Sequence, residues 1–175
     1  MKKVLYVIIG LVVLICVIGL LAPKDFTVER EVTINKPVDQ VFAYLKQLKN
    51  QNEWSVWARM DPNMKMEFRG TDGTVGFVSA WEGNDDVGKG EQEIKGIVEQ
   101  QRLDYELRMI KPWEATNKVY LTTESAGENQ TKVKWGFSGH MSFPMNTMML
   151  FMSMDKTIGK DFEQGLANLK ANLEK

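Results

Sequence analysis

Nineteen consecutive residues, Val4 to Ala22, carry no charge, no amide and no hydroxyl other than that of Tyr6. This run constrains the chain more than any other feature in it. As a helix rising ~1.5 Å per residue it is about 28 Å long, close to the ~30 Å hydrocarbon core of a bilayer. It is apolar on every face, whereas a helix packed on a globular core keeps a polar side. A cleaved secretory signal fits poorly: the run exceeds the usual h-region of ~7–15 residues, and Leu20 and Ala22 with Pro23 next make a weak cleavage site. A lipoprotein signal would need a small residue before Cys16, where Ile15 stands. Residues 1–22 are therefore expected to be a retained transmembrane anchor, with Cys16 a small apolar group in lipid. Lys2 and Lys3 favour the cytoplasmic side. That places residues 23–175 outside the cytoplasm, as the soluble domain of a single-pass protein of the cell membrane.

Composition removes several functions. The chain has 22 Lys+Arg against 23 Asp+Glu, a net charge of −1. Without Lys2 and Lys3, 20 basic residues face 23 acidic ones, so no electrostatic case for nucleic acid exists. A single Cys excludes an internal disulfide and a Cys-rich zinc site, and a single His, His140, excludes multi-histidine metal centres. Asp85-Asp86 lacks the further oxygen ligands of a calcium loop. Gly83, Gly88 and Gly90 are not followed by the Lys-Ser/Thr pair of a phosphate loop.

Residues 26–34, FTVEREVTI, alternate with period two and predict a half-buried strand. Asn35-Lys36-Pro37 ends it. Val38, Val41, Phe42, Leu45 and Leu48 follow at helical spacing. Strands are then expected over 64–69, 75–82, 90–99, 102–111, 115–125 and 131–142, separated by tight turns, with Gly96 marking a bulge. Pro144 is expected to open a helical tract running to Lys175. Ile158, Phe162, Leu166, Leu169 and Leu173 form its apolar stripe. The expectation is an α+β domain: a seven-stranded antiparallel sheet covered on its apolar face by the long C-terminal helix.

Over about residues 25–173 the chain resembles the START/polyketide cyclase-like (SRPBCC) superfamily. The resemblance rests on FTVEREVTI, on NKPVDQVFAYLKQLKNQNEWSVW, on Gly73, Gly76 and Trp81, on the Gly88-Lys89-Gly90-Glu91 hairpin, and on GKDFEQGLANLKANLE. It implies a helix-grip fold, the sheet wrapped around the long helix, with a cavity between them that takes hydrophobic small molecules or lipids. Some members are cyclases or hydratases, and one branch activates a chaperone. The superfamily has no universal catalytic motif, so no catalytic residue, metal or cofactor is assigned. Membrane anchors ahead of the domain are known among its bacterial members.

Strand parity nominates cavity residues. Phe77, Ser79 and Trp81 share a face, as do Leu103, Tyr105, Leu107 and Met109, and Val133, Trp135 and Phe137. The same side chains could simply fill a core. Trp54 and Trp57, three apart, either wall the cavity mouth or anchor a loop. Met145, Met148, Met149 and Met152 are spaced as one helical face, which suits ligand lining or core filling. Copper(I) binding is the third reading of these thioethers, but thioether motifs are looser than thiolate ones, and no metal is assigned. The ligand-binding candidates are thus Trp54, Trp57, Phe77, Trp81, Tyr105, Leu107, Met109, Trp135, Phe137, Met145, Met148, Met149 and Met152. Asp104, Glu106 and Arg108 fall on the face opposite Tyr105 and should be solvated. His140, at a strand end with no nucleophile at readable spacing, is a weak candidate base. Two functions are weighed, a membrane-tethered module binding a hydrophobic molecule or lipid and a cyclase- or hydratase-type enzyme, while a third, a protein-interaction module resembling the chaperone activators, fits the expected extracytoplasmic location poorly. The second needs an ionisable group inside the cavity.

Overall fold

The computed structural model describes residues 2–175, without the side chains of Lys2, Leu5, Ile8, Leu11, Val12 and Cys16. Helix α1, Lys2–Leu21, opens the chain. Among the described residues no helix is long and apolar enough to cross a membrane. The expectation of an unbroken span, with Cys16 in lipid, rests partly on positions outside the described residues.

The domain that follows is α+β. Its strands are β1 (Asp25–Ile34), β2 (Lys65–Arg69), β3 (Val78–Glu82), β4 (Lys89–Val98), β5 (Arg102–Lys111), β6 (Ala115–Gly127) and β7 (Gln130–His140). They form one antiparallel sheet in the order β1-β7-β6-β5-β4-β3-β2. Helices α2 (Val38–Lys46) and α3 (Gln51–Trp54) lie between β1 and β2, and α4 (Met154–Leu173) closes the chain. Register shifts at Lys89/Gly90, Ile94/Gly96 and Ser125/Gly127 interrupt the ladders. Such bulges bend a strand and increase its twist, which curls the sheet around α4.

The period-two pattern sorts the two faces. Val28, Ile94, Leu103, Tyr105, Val119, Leu121, Val133 and Trp135 are buried on the inner face. The outer face carries a charge ladder. Arg108 holds Glu91 and Glu93 at 2.8 Å each and also pairs with Glu106; Arg69 pairs with Glu91. Asp104, Glu106 and Arg108 thus lie on the outward face that their parity predicts.

Helix α4 packs with Phe162, Leu166 and Leu169 inward. Ser153 caps it, accepting from the Lys156 N–H at 3.3 Å. Arg30, projecting from β1, donates to Asp155 at 2.8 Å and to Glu163 at 2.6 Å, so one guanidinium clips two turns of the helix. At the other end Lys170 donates to the Thr33 carbonyl at 2.7 Å, and the Asn35 N–H donates to Glu174 at 2.6 Å. Between these clips the Trp135 ring stacks on Phe162, with centroids 3.9 Å apart and planes 4° from parallel.

One expectation is corrected. The tract from Pro144 is not continuous with the terminal helix. Residues Met145–Leu150 form a separate 3-10 segment, and α4 begins only at Met154. The Ser153 cap starts a new helix there, and no apolar stripe spans the two pieces: Phe151 is 88% exposed and Met152 46%. Strand β3 also begins at Val78, later than position 75, because Gly73 and Gly76 take positive φ and turn the chain.

Two outcomes test this packing. A Cβ at Gly165 would sit 3.0 Å from the Trp135 ring, which is wedged between Phe162 and Trp54. G165V should therefore lose about 1–3 kcal/mol by overpacking, read as a fall in the urea midpoint, despite Gly being a poor helix former. The second concerns acid. Hydrogen bonds from Arg69 to Glu91 and from Arg108 to Glu93 hold both carboxylates below their ordinary 4.5. A lowered carboxylate stabilises the fold fully above that value and ceases to do so as it protonates. Thermal stability should hold as pH falls to 4.5 and decline below it, and R108M should flatten that decline.

Candidate functional site

Between the inner face of the sheet and the first half of α4 lies a cavity of about 430 Å³, within the ~300–1,000 Å³ range of small-molecule sites. Its walls follow from the sheet register. One row runs Trp81–Gly90–Met109 across β3, β4 and β5, and the next runs Ser79–Gln92–Leu107–Asn117 across β3 to β6. Phe137 and Val119 close the β6–β7 side; Ile158 and Phe162 of α4 and Trp57 form the lid. Gly90 is needed: a Cβ there would meet the Trp81 ring at 2.6 Å. The indole lies across that gap, and its N–H donates to the Val87 carbonyl at 3.3 Å.

The polar groups are few and concentrated. Ser55, Ser79, Gln92 and Asn117 line the cavity with the half-buried Gln51 and Asn52, and the first four are half of the eight polar residues buried among the described ones. Gln92 donates to Gln51 at 3.2 Å. The indole N–H of Trp135, a wall residue, is buried without a hydrogen-bond partner among the described residues. A buried donor left unpaired costs ~1–3 kcal/mol. Among the described residues Asp86 is the one ionisable lining residue, and it is exposed, in the β3–β4 connection.

The expected site residues divide three ways. Trp57, Trp81, Leu107, Met109, Trp135 and Phe137 lie in the cavity wall. Trp54, Phe77 and Tyr105 point into the packed core beside it, each no more than 3% exposed. Trp54 meets Trp135 edge-on at 4.8 Å, while Trp57 meets Phe162 edge-on at 5.9 Å from the cavity side. Burial pushes the Tyr105 phenol well above its ordinary value, so it stays neutral. Met145, Met148, Met149 and Met152 lie outside the wall, in and after the 3-10 segment. His140 ends β7 at the surface, its Nδ1 2.7 Å from Asp25. Sequence reasoning missed Gln92, Asn117, Trp113 and Ile158. Gln92 and Asn117 had a usable signal, since each is an amide at an inward position of an otherwise apolar strand face.

A family profile for polyketide cyclase / dehydrase and lipid transport proteins matches residues 25–174. The chain belongs to that family. The match spans every element from β1 to α4, and the helix-grip architecture expected of the superfamily is the one observed. No curated protein sequence matches the chain. Solved structures of similar fold include a hypothetical protein of Helicobacter pylori (13% identity, 86% of this chain and 89% of that one, TM-score 0.64). Another is a protein of Nitrosospira multiformis (15%, 85% and 96%, TM-score 0.62). A third is ginseng major latex-like protein 151 from Panax ginseng (12%, 86% and 99%, TM-score 0.59). At such identities the likeness concerns the fold.

Wall and core predict different losses. W54A removes a buried ring from a close-packed cluster and should cost about 3–5 kcal/mol of stability. M109A removes a side chain that already borders empty space, so its cost should fall at or below the ~2 kcal/mol lower end of core Met truncations. Paired urea titrations check the contrast.

Proposed function

We propose that this member of the polyketide cyclase / dehydrase and lipid transport family is a membrane-tethered binding module for a hydrophobic small molecule or lipid. The observation that carries the reading is the chemistry of the wall. Aromatic and thioether side chains, among them Trp57, Trp81, Met109, Trp135 and Phe137, surround with Leu107 a few neutral polar groups. That is the make-up of a site that binds an apolar body and orients it by a small number of hydrogen bonds. The family's description includes lipid transport, which agrees. A cyclase or hydratase would need a proton donor or acceptor at the reacting atoms, and among the described lining residues only Asp86 ionises, out in solvent.

The tether is inferred from the sequence of α1. Read whole, it is uncharged from Val4 to Leu21, and its side chains, where described, stand exposed except near Gly19. An exposed helix of that composition has lipid as its natural surrounding. Lys2 and Lys3 then orient the domain away from the cytoplasm.

A chain shortened to residues 23–175 should fold and remain in solution, while the full chain should stay with membranes through alkaline carbonate washing. The shortened chain should bind a neutral fluorescent fatty-acyl ester saturably, with Kd in the micromolar range, about −8 kcal/mol. The wall tryptophans report binding through energy transfer to the probe. L107W, which places an indole in the cavity, should abolish binding without loss of stability. Non-saturable binding, or full binding by L107W, would remove the site from the cavity.

A further inference from the structure

The strand register gathers several features at one end of the domain. Asp25 pairs with His140, Met109 with Ala115, and Glu82 with Lys89. The start of β1, the end of β7, the β5–β6 connection and the β3–β4 connection therefore share that end. The exposed wall residues of the cavity, Trp113 and Asp86, belong to those two connections, so the cavity opens there. Helix α1 enters the domain at the same place.

The segment leaving β7 is fastened to α1. Asn146 is fully buried, and its amide donates to the Gly19 carbonyl at 2.7 Å and the Ala22 carbonyl at 3.2 Å. The first is a last-turn carbonyl that a helix cannot satisfy itself, and the second belongs to the residue that follows the helix. Gly19 admits the contact, since a Cβ there would lie 2.6 Å from the Phe143 ring.

From Met141 to Met154 the chain has no charged residue. It nevertheless exposes Phe143, Met145, Met148, Leu150, Phe151 and Met152, each at 40% or more. An uncharged apolar ledge fixed to the end of an apolar helix has one continuous surface to meet. We propose that residues 143–152 are seated in the surface layer of the bilayer that α1 enters, so that the cavity mouth faces lipid. The proposal rests on the anchoring proposed for α1. It assigns the exposed methionines to lipid contact, outside both the core and the ligand site.

The test uses the full chain in phosphatidylcholine nanodiscs, with Cys16 replaced by Ser and single cysteines at Ile9, Glu128 or Phe151 carrying an environment-sensitive fluorophore. Glu128 lies in the β6–β7 turn at the far end, roughly 33 Å away along β7. Nitroxide-bearing lipids should quench the Ile9 and Phe151 labels, the latter at the ~5–10 Å depth of interfacial apolar surface. The Glu128 label should lose signal only to aqueous iodide. Quenching at Ile9 with iodide access at Phe151 would overturn the seat and leave the anchor standing. No lipid quenching at Ile9 would overturn both. A Phe151 label shielded from iodide and from lipid would mean that protein, such as a second copy of this chain, covers the ledge, and would also overturn it.

Discussion

The stack of Trp135 on Phe162 sets the distance between helix and sheet, and the cavity is a consequence of that distance. At the β1 side, Arg30 and Lys170 draw α4 against the strand edge. At its centre Gly165 lets the Trp135 indole fill the gap. Beyond that indole, toward β3 to β5, only Ile158 and Phe162 of α4 reach the wall. The side chains opposite them, Leu107 and Met109, are too short to close the remaining space. A dry void of 430 Å³ would cost about 10 kcal/mol at ~24 cal/mol per Å³, as much as the whole stability of an ordinary domain. The fold can carry such a space only if water or a guest occupies it. The amides of Gln92 and Asn117 give water a foothold that a wholly apolar cavity would not.

Those same amides narrow the guest. Among the described lining residues the one carboxylate, Asp86, stands at the exposed mouth, so an ionised headgroup placed deep inside would lose its hydration without a partner, at a cost of several kcal/mol. A neutral polar atom near Gln92, Asn117 or the unpaired Trp135 donor would instead gain a hydrogen bond. The chemistry that fits is an apolar body bearing one or two neutral oxygens, with any charge left at the mouth. Trp81, clamped over Gly90 and tied to the Val87 carbonyl, offers a rigid flat wall for such a body.

Much of this could be read in the sequence, for identifiable reasons. A strand covered on one face writes its inside and outside into alternate residues, so the faces of Leu107 and Met109 and of Trp135 and Phe137 were legible. Gly96 showed its bulge because a side-chain gap in a strand has few other uses. Which inward residues border space was not legible, because Tyr105 and Leu107 have identical parity and differ only in what α4 brings opposite them. Trp54 and Trp57 make the same point: three residues apart, one is packed into the core and the other faces the cavity. The methionines misled for a different reason. Their spacing suits a helix, but an apolar stripe does not reveal whether its partner is protein or lipid, and the break at Ser153 is set by a cap, not by periodicity.

The relation between mouth and membrane has a thermodynamic side. Moving an apolar molecule from a bilayer through water costs ~0.8 kcal/mol for each methylene exposed, so a ten-methylene chain meets a barrier of about 8 kcal/mol before it reaches any pocket. That barrier is as large as the ~8 kcal/mol of a micromolar affinity, so it limits exchange as much as release from the pocket does. A cavity whose open end carries the uncharged ledge of residues 143–152 and the Trp113 hairpin shortens the wet part of the path. Each methylene can then pass from lipid to indole and thioether surface with little of the chain hydrated at once. In the arrangement proposed above, a tether would do more than concentrate the domain near its ligand. Because Asn146 ties α1 to the ledge, an anchored α1 would hold the cavity in the orientation in which transfer avoids water.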